Sequence, residues 1–162
     1  MKPFRFRSSA SRLENVLTGP LPEQPATHAT NQQEVSPMNI QTLDQCPQNH
    51  RGGQVSHLLL AAGQFGSENL AVTWVEGEPG SEQAVHSHDG REQVYVIVQG
   101  RGAMRVGEEV EEVRAGTAIL VPPGTDHSIR NVGEEKLIYV SATSPPFEMQ
   151  EGNTRWSTPT GS

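Results

Sequence analysis

From Gln54 to Ser144 the chain is a succession of short apolar segments, each cut off by glycine, proline or an acidic turn. No other feature constrains the fold as strongly. Segments this short cannot bury the face of a helix, but they can form half-buried strands. QVSHLLLAA, LAVTWVEG, QVYVIVQG, AMRV, VEEVR, TAILV, HSIRNV and KLIYVSAT are the segments, and GQFGSEN, GEE and PPGTD are among the turns between them. Together they predict about eight or nine strands roughly ten residues apart, with no convincing helix, and such a series closes into a sandwich or barrel. VGEEVEEV reads as a solvated hairpin within it.

The flanks differ. Residues 1–50 are expected to be an N-terminal extension, largely disordered, ahead of a barrel over 51–144 and a loose tail over 145–162 that carries the isolated Trp156. The first 17 residues contain Lys2, Arg5, Arg7 and Arg12 and no acid before Glu14. They suit a short helix over 9–17 that docks on a protein partner, an organelle-type targeting peptide, or a plain tail with Met38 as an alternative start. Residues 18–37, rich in Pro, Thr, Gln and Asn, read as a linker. A hydrophobic fraction of 33% fits a chain that is only partly folded. The net charge of −7 argues against a nucleic-acid surface. No apolar run approaches the roughly 20 residues of a membrane span. Cys46 is the only cysteine, so neither an internal disulfide nor a thiolate metal cluster is available, and a reducing, cytoplasmic setting is the expectation.

The chemistry concentrates in HSHDGREQVYVIVQG, residues 86–100, where two histidines stand one residue apart ahead of Glu92 and Gln93. Gly80, five residues, His86, one residue, His88, a carboxylate position and then a strand to Gly100 resembles the first motif of the cupins. Gly116, five residues, Pro122, one residue, Gly124, two residues, His127, three residues, Asn131 is similar to the second cupin motif at every position. The resemblance covers roughly residues 54–143. It implies an all-β fold, the double-stranded β-helix or jelly-roll barrel. It also implies a divalent transition metal (Zn, Ni, Mn or Fe) on His86, His88, His127 and the fourth position, and a homodimer paired through sheet edges. The residues agree with it. Histidines at i and i+2 of an extended segment share one side, PPGTD can turn His127 inward, and three imidazoles with an oxygen donor leave positions open on an ion.

Either Glu92 or Gln93 can fill the fourth position. Unbroken strand parity places Glu92 with His86 and His88, but the Asp89-Gly90 turn can reset parity. The family's spacing back from Gly100 lands on Gln93. The choice matters, because glutamate adds a negative charge to the ion's surroundings whereas glutamine leaves them neutral and the ion more electrophilic. Tyr95 and Trp74 are candidates to line the pocket, while His28, His50 and His57 read as surface or hydrogen-bonded residues, with a pocket place the lesser reading for His57. Arg101, Arg105 and Arg130 are candidate anion binders or exposed strand arginines. The reading is a metal-dependent enzyme on a small organic molecule, most simply an oxygenase or decarboxylase. The alternative is a non-catalytic ligand- or metal-binding module recruited through the N-terminal segment, and a sugar isomerase or epimerase has little support.

Overall fold

A computed structural model describes residues 38–147 and 156–157. The basic segment 1–17, with its expected helix over 9–17, and the expected linker over 18–37 lie outside the described residues. The strands are β1 (Gln48–Arg51), β2 (Gln54–Leu60), β3 (Ala71–Gly77), β4 (Glu92–Gln99), β5 (Arg101–Val106), β6 (Glu109–Arg114), β7 (Ala118–Val121), β8 (His127–Asn131) and β9 (Leu137–Ser144). They form an antiparallel sheet of order β1-β2-β3-β9-β4-β7 and a second of order β6-β5-β8. The extended stretch from Glu82 to His86 runs beside β8, bridging Arg130 and His127, and so adds a fourth row to the smaller sheet. The result is an all-β jelly roll, as the strand series predicts. Among the described residues no helix is long and apolar enough to cross a membrane.

Alternation decides which side chains face inward. Strand β9 buries every second residue, Leu137, Tyr139, Ser141 and Thr143, and β4 buries Gln93, Tyr95 and Ile97. Val75, Tyr95, Ile97, Met104, Val113, Val121, Ile129, Leu137 and Tyr139 make one core between the sheets. Each large apolar side chain there contributes roughly 1.5–3 kcal/mol by leaving water. Strand β6 buries only Val113, in keeping with the solvated hairpin expected around it. Gly100 makes the corner from β4 to β5. Its φ is +81°, and a Cβ there would stand 2.5 Å from the Lys136 carbonyl oxygen, so the chain can switch sheets at this point only without a side chain.

Described residues on either side of 51–144 also pack on the barrel. Strand β1 starts at Gln48, ahead of residue 51, and Cys46 is fully buried with its thiol donating to the Thr42 carbonyl at 3.1 Å. The described part of the extension therefore packs on the barrel. The tail also returns to it: Ser157 and Gln48 exchange two backbone hydrogen bonds of 2.8 Å, which sets Trp156 beside β1.

Candidate metal centre

Backbone pairing brings the two histidine motifs together. His86 and His127 exchange N–H···O bonds of 3.1 and 2.8 Å, and the Gly124 N–H donates to the His88 carbonyl at 2.9 Å. Gly124 has φ +69° in the Pro122–Thr125 turn, the left-handed geometry that turns the chain into β8 and aims His127 inward. The ring centroids lie 4.2 Å apart for His86 and His127, 4.8 Å for His86 and His88 and 5.3 Å for His88 and His127. One nitrogen from each ring falls within 4.8 Å of the others.

Two of the rings are oriented by the backbone. His86 Nδ1 is 2.8 Å from the Ala84 carbonyl and His127 Nδ1 is 2.9 Å from the Thr125 carbonyl. A carbonyl only accepts, so each Nδ1 carries the proton and each Nε2 presents a lone pair. Gln93 faces the same space, 5% exposed, whereas Glu92 is exposed on the other side of β4. The Gln93 Nε2 donates to Thr143 Oγ1 at 2.8 Å, which leaves Oε1 as the free end of the amide. Gln93 Oε1 and His127 Nε2 are both buried and have no partner. Buried polar atoms are usually paired; of the six exceptions among the described residues, these two are electron-pair donors belonging to the sequence-predicted ligand set, and an electron-pair acceptor would satisfy both. Three imidazole nitrogens and an amide oxygen fit a divalent first-row ion. Thr143 was not anticipated from the sequence, although a threonine at an inward position of a final strand is a legible signal.

The electrostatics suit ligation. His88 has its pKa pulled down to about 4, first because burial disfavours imidazolium and then because His86, His127 and Arg91 add positive charge nearby. Burial also lowers His127, against the opposing hydrogen bond to the Thr125 carbonyl. Both rings are therefore neutral at neutral pH, the form that binds metal. Tyr95 packs 6.0 Å from the His127 ring, its hydroxyl donates to Gln83 Oε1 at 3.3 Å, and burial raises its pKa so that it stays a phenol.

Above these residues opens a cavity of about 400 Å³. Tyr95 lines it; Trp74 and His57 are not in the lining. On β3 the inward residues are Thr73 and Val75, so Trp74 points to the outer face, where its indole donates to Glu76 at 3.2 Å and pairs in register with His57. Trp156 takes the place expected for Trp74, and Phe147 stands edge-on to His88 with ring centroids 4.6 Å apart. Arg101, Arg105 and Arg130 are not among the lining residues, and Arg101 and Arg105 pair with Glu112 and Glu108 instead. Arg51, at the end of β1, is in the lining.

A family model described as Cupin domain matches residues 73–143, the stretch that carries both histidine motifs. An uncharacterized protein of Streptomyces coelicolor is 31% identical over 78 residues, 48% of this chain and 72% of that protein. The chain belongs to the cupin family. This cupin is also 36% identical over 72 residues to an uncharacterized protein of Methanocaldococcus jannaschii, covering 44% of its own length and only 58% of that relative's. It is 28% identical over 97 residues to the oxalate-binding protein of Thermotoga maritima, 57% of this chain and 79% of that one. Among solved structures, a predicted oxalate decarboxylase from Thermotoga maritima superposes with a TM-score of 0.61 at 20% identity, over 67% of this chain and 99% of that one, a likeness of fold.

Proposed function

We propose that this cupin holds one divalent transition-metal ion on His86, His88, His127 and Gln93 and acts on a small organic molecule that enters the cavity above them. The observation that carries the reading is the convergence of one ring nitrogen each from His86, His88 and His127 within 4.8 Å, beside a cavity lined by His86, His88 and Gln93, with His127 Nε2 and Gln93 Oε1 buried and without partners among the described residues. When bound, the ion supplies a Lewis acid for ligand oxygens. The chain's own residues set its character. Ala84 and Thr125 fix the tautomers of His86 and His127 through their carbonyls, and Thr143 fixes the rotamer of Gln93. With no carboxylate among these four residues the ion keeps its full charge, which favours polarising a substrate over supporting a higher oxidation state. Decarboxylation therefore stands ahead of oxygenation, and Zn, Ni, Mn and Fe all suit the donors. Tyr95 offers a phenol that stays protonated beside the site, and Leu58, Ala71 and Val75 give the ligand apolar walls.

A second reading is a non-catalytic binding module, favoured by the name of the Thermotoga relative, which specifies binding of oxalate. A homodimer, cytoplasmic residence and a protein partner for residues 1–17 belong to the same proposal. Elemental analysis of the purified protein and of His127→Ala comes first, followed by reloading with each of the four metals. Carbon dioxide release and oxygen uptake are then measured with short oxo- and dicarboxylic acids. Stoichiometric metal with turnover supports the enzyme, and metal with ligand binding but no turnover supports the module. A wild-type protein that takes no metal after reloading overturns the enzyme and leaves the metal-free ligand-binding module.

A further inference from the structure

The end of the cavity opposite the histidines is built from residues outside the stretch matched to the family. Strand β1 extends the large sheet, and its register sets Asn49 beside Ser56 and Arg51 beside Gln54, all four lining the cavity. Ser157 bonds to Gln48, which brings Trp156 alongside Asn49 and into the same lining. Residues 48–56 and 156 all fall outside the matched 73–143. The β1–β2 hairpin and the returning tail are thus additions that give the common barrel an end wall of its own.

The chemistry of that wall is specific. Arg51 is the one cationic side chain, the histidines aside, among the described residues that line the cavity, and it makes no ion pair with any described residue. Gln54 is 7% exposed, and its Nε2 has no hydrogen-bond partner. Trp156 gives a flat apolar surface beside them, continued by Leu58, Val75 and Ala71. Glu82 is the only carboxylate of the lining among the described residues. If a divalent ion sits among three neutral imidazoles and an amide, Arg51 and the ion together outweigh Glu82, and the cavity carries a net positive charge that only an anionic ligand balances.

We infer that this wall is a recognition site for a carboxylate attached to a flat, apolar body, with Arg51 holding the carboxylate, Asn49 and Gln54 supplying hydrogen bonds, and Trp156 stacking on the body. The inference deepens the proposed function and rests on it for the charge balance. The Asn49–Ser56–Val75–Tyr139 row lies four residues along β9 from the Gln93–Thr143 row, about 13 Å of strand. The ligand is therefore longer than a two-carbon diacid, which has no body for Trp156 to cover. Arginine suits this role because its planar guanidinium grips both oxygens of a carboxylate.

The chain has two tryptophans, Trp156 in the cavity and Trp74 on the outer face, so their indole N–H signals separate cavity binding from surface binding. Zinc-loaded full-length protein is titrated with 3-phenylpropionate, its neutral amide and oxalate, following both indole signals by NMR and affinity by calorimetry. The expected result is a shift of the Trp156 signal alone, with the phenyl acid binding at least about tenfold more tightly than its amide. Arg51→Gln abolishes that preference without changing zinc content, and Trp156→Ala weakens the phenyl acid but not oxalate. An acid preference that survives Arg51→Gln, or a Trp156 signal that no phenyl acid moves, overturns the inference. A wild-type chain that holds no zinc defeats the metal proposal, and the Arg51 and Trp156 comparisons are then read in the zinc-free protein.

Discussion

Replacing Gln93 with leucine separates the roles of its two side-chain ends. In the metal-free protein the change removes the 2.8 Å hydrogen bond to Thr143, worth about 1 kcal/mol, and leaves that hydroxyl without its donor. It also removes the buried, partnerless Oε1, whose desolvation costs about 1–3 kcal/mol, and substitutes an apolar group of similar size. The two effects offset, so the metal-free variant should unfold within about 1–2 kcal/mol of wild type. With metal the balance changes. Even residues that only orient a ligand are worth about 10- to 100-fold in metal affinity, so loss of a ligand should weaken binding by about a hundredfold or more. At a fixed metal concentration that removes about 2.7 kcal/mol of linked stabilisation. For an ordered region of roughly 110 residues this is about 10 °C of the metal-induced rise in Tm. Differential scanning calorimetry with and without zinc measures it, with Glu92→Gln as the control, since Glu92 is exposed. A full metal-induced rise in Gln93→Leu together with its loss in Glu92→Gln would refute the reasoning.

Three other outcomes follow from the structure. In metal-free protein His88 should stay neutral down to about pH 4, as NMR titration of its ring would show. Its folded pKa lies below the unfolded value of about 6.5, so the unfolded chain binds more protons between those limits. The stability it contributes is complete above about pH 6.5 and lost as pH falls toward 4, on the order of 1–2 kcal/mol after allowing for partial exposure; a flat stability profile over that window would contradict it. Gly100→Ala should cost more than about 3 kcal/mol in urea unfolding, since strain at φ +81° adds to a backbone clash with Lys136. Gly116→Ala, at φ +86° with nothing within 4 Å of its Cβ, should cost only about 1–2 kcal/mol, and equal costs would count against the corner at Gly100. The outer face of the large sheet carries apolar rows in register, Trp74–Val140–Val96–Ala118 and Val72–Ala142–Val94–Leu120. Val96 and Leu120 are 40% and 56% exposed there; if the proposed homodimer pairs through this face rather than through sheet edges, Val96→Glu with Leu120→Glu should reduce it to a monomer in analytical ultracentrifugation. An unchanged sedimentation coefficient would put the pairing elsewhere.

The barrel strands were legible because each carries β-branched or aromatic residues between strong turn signals, from QVSHLLL of β2 to KLIYVSAT around β9. Strand β1 was not. QNHR has no apolar alternation, and it becomes a strand only because β2 offers it a free edge. The histidines were legible from spacing. Glu92 against Gln93 was not decided by parity, because His86 and His88 precede the Asp89-Gly90 turn and β4 begins afresh at Glu92. The alternation that matters starts there and places Gln93 with Tyr95 and Ile97. Trp74 looked like a pocket residue because a strand sequence does not state which face is inward. Arg51 and Trp156 could not be found at all from local pattern, since the hydrogen bonds of Gln48 with Ser157 join positions more than a hundred residues apart.

The central claim is that an ion sits among His86, His88, His127 and Gln93. Diffraction at the zinc absorption edge from crystals of the zinc-loaded full chain tests it most directly. The account predicts one strong anomalous peak per chain, bounded by the Nε2 atoms of His86 and His127, a ring nitrogen of His88 and Oε1 of Gln93. A zinc-loaded crystal with no peak there, or with the peak held by a Glu92 carboxylate swung in from the outer face, would contradict it.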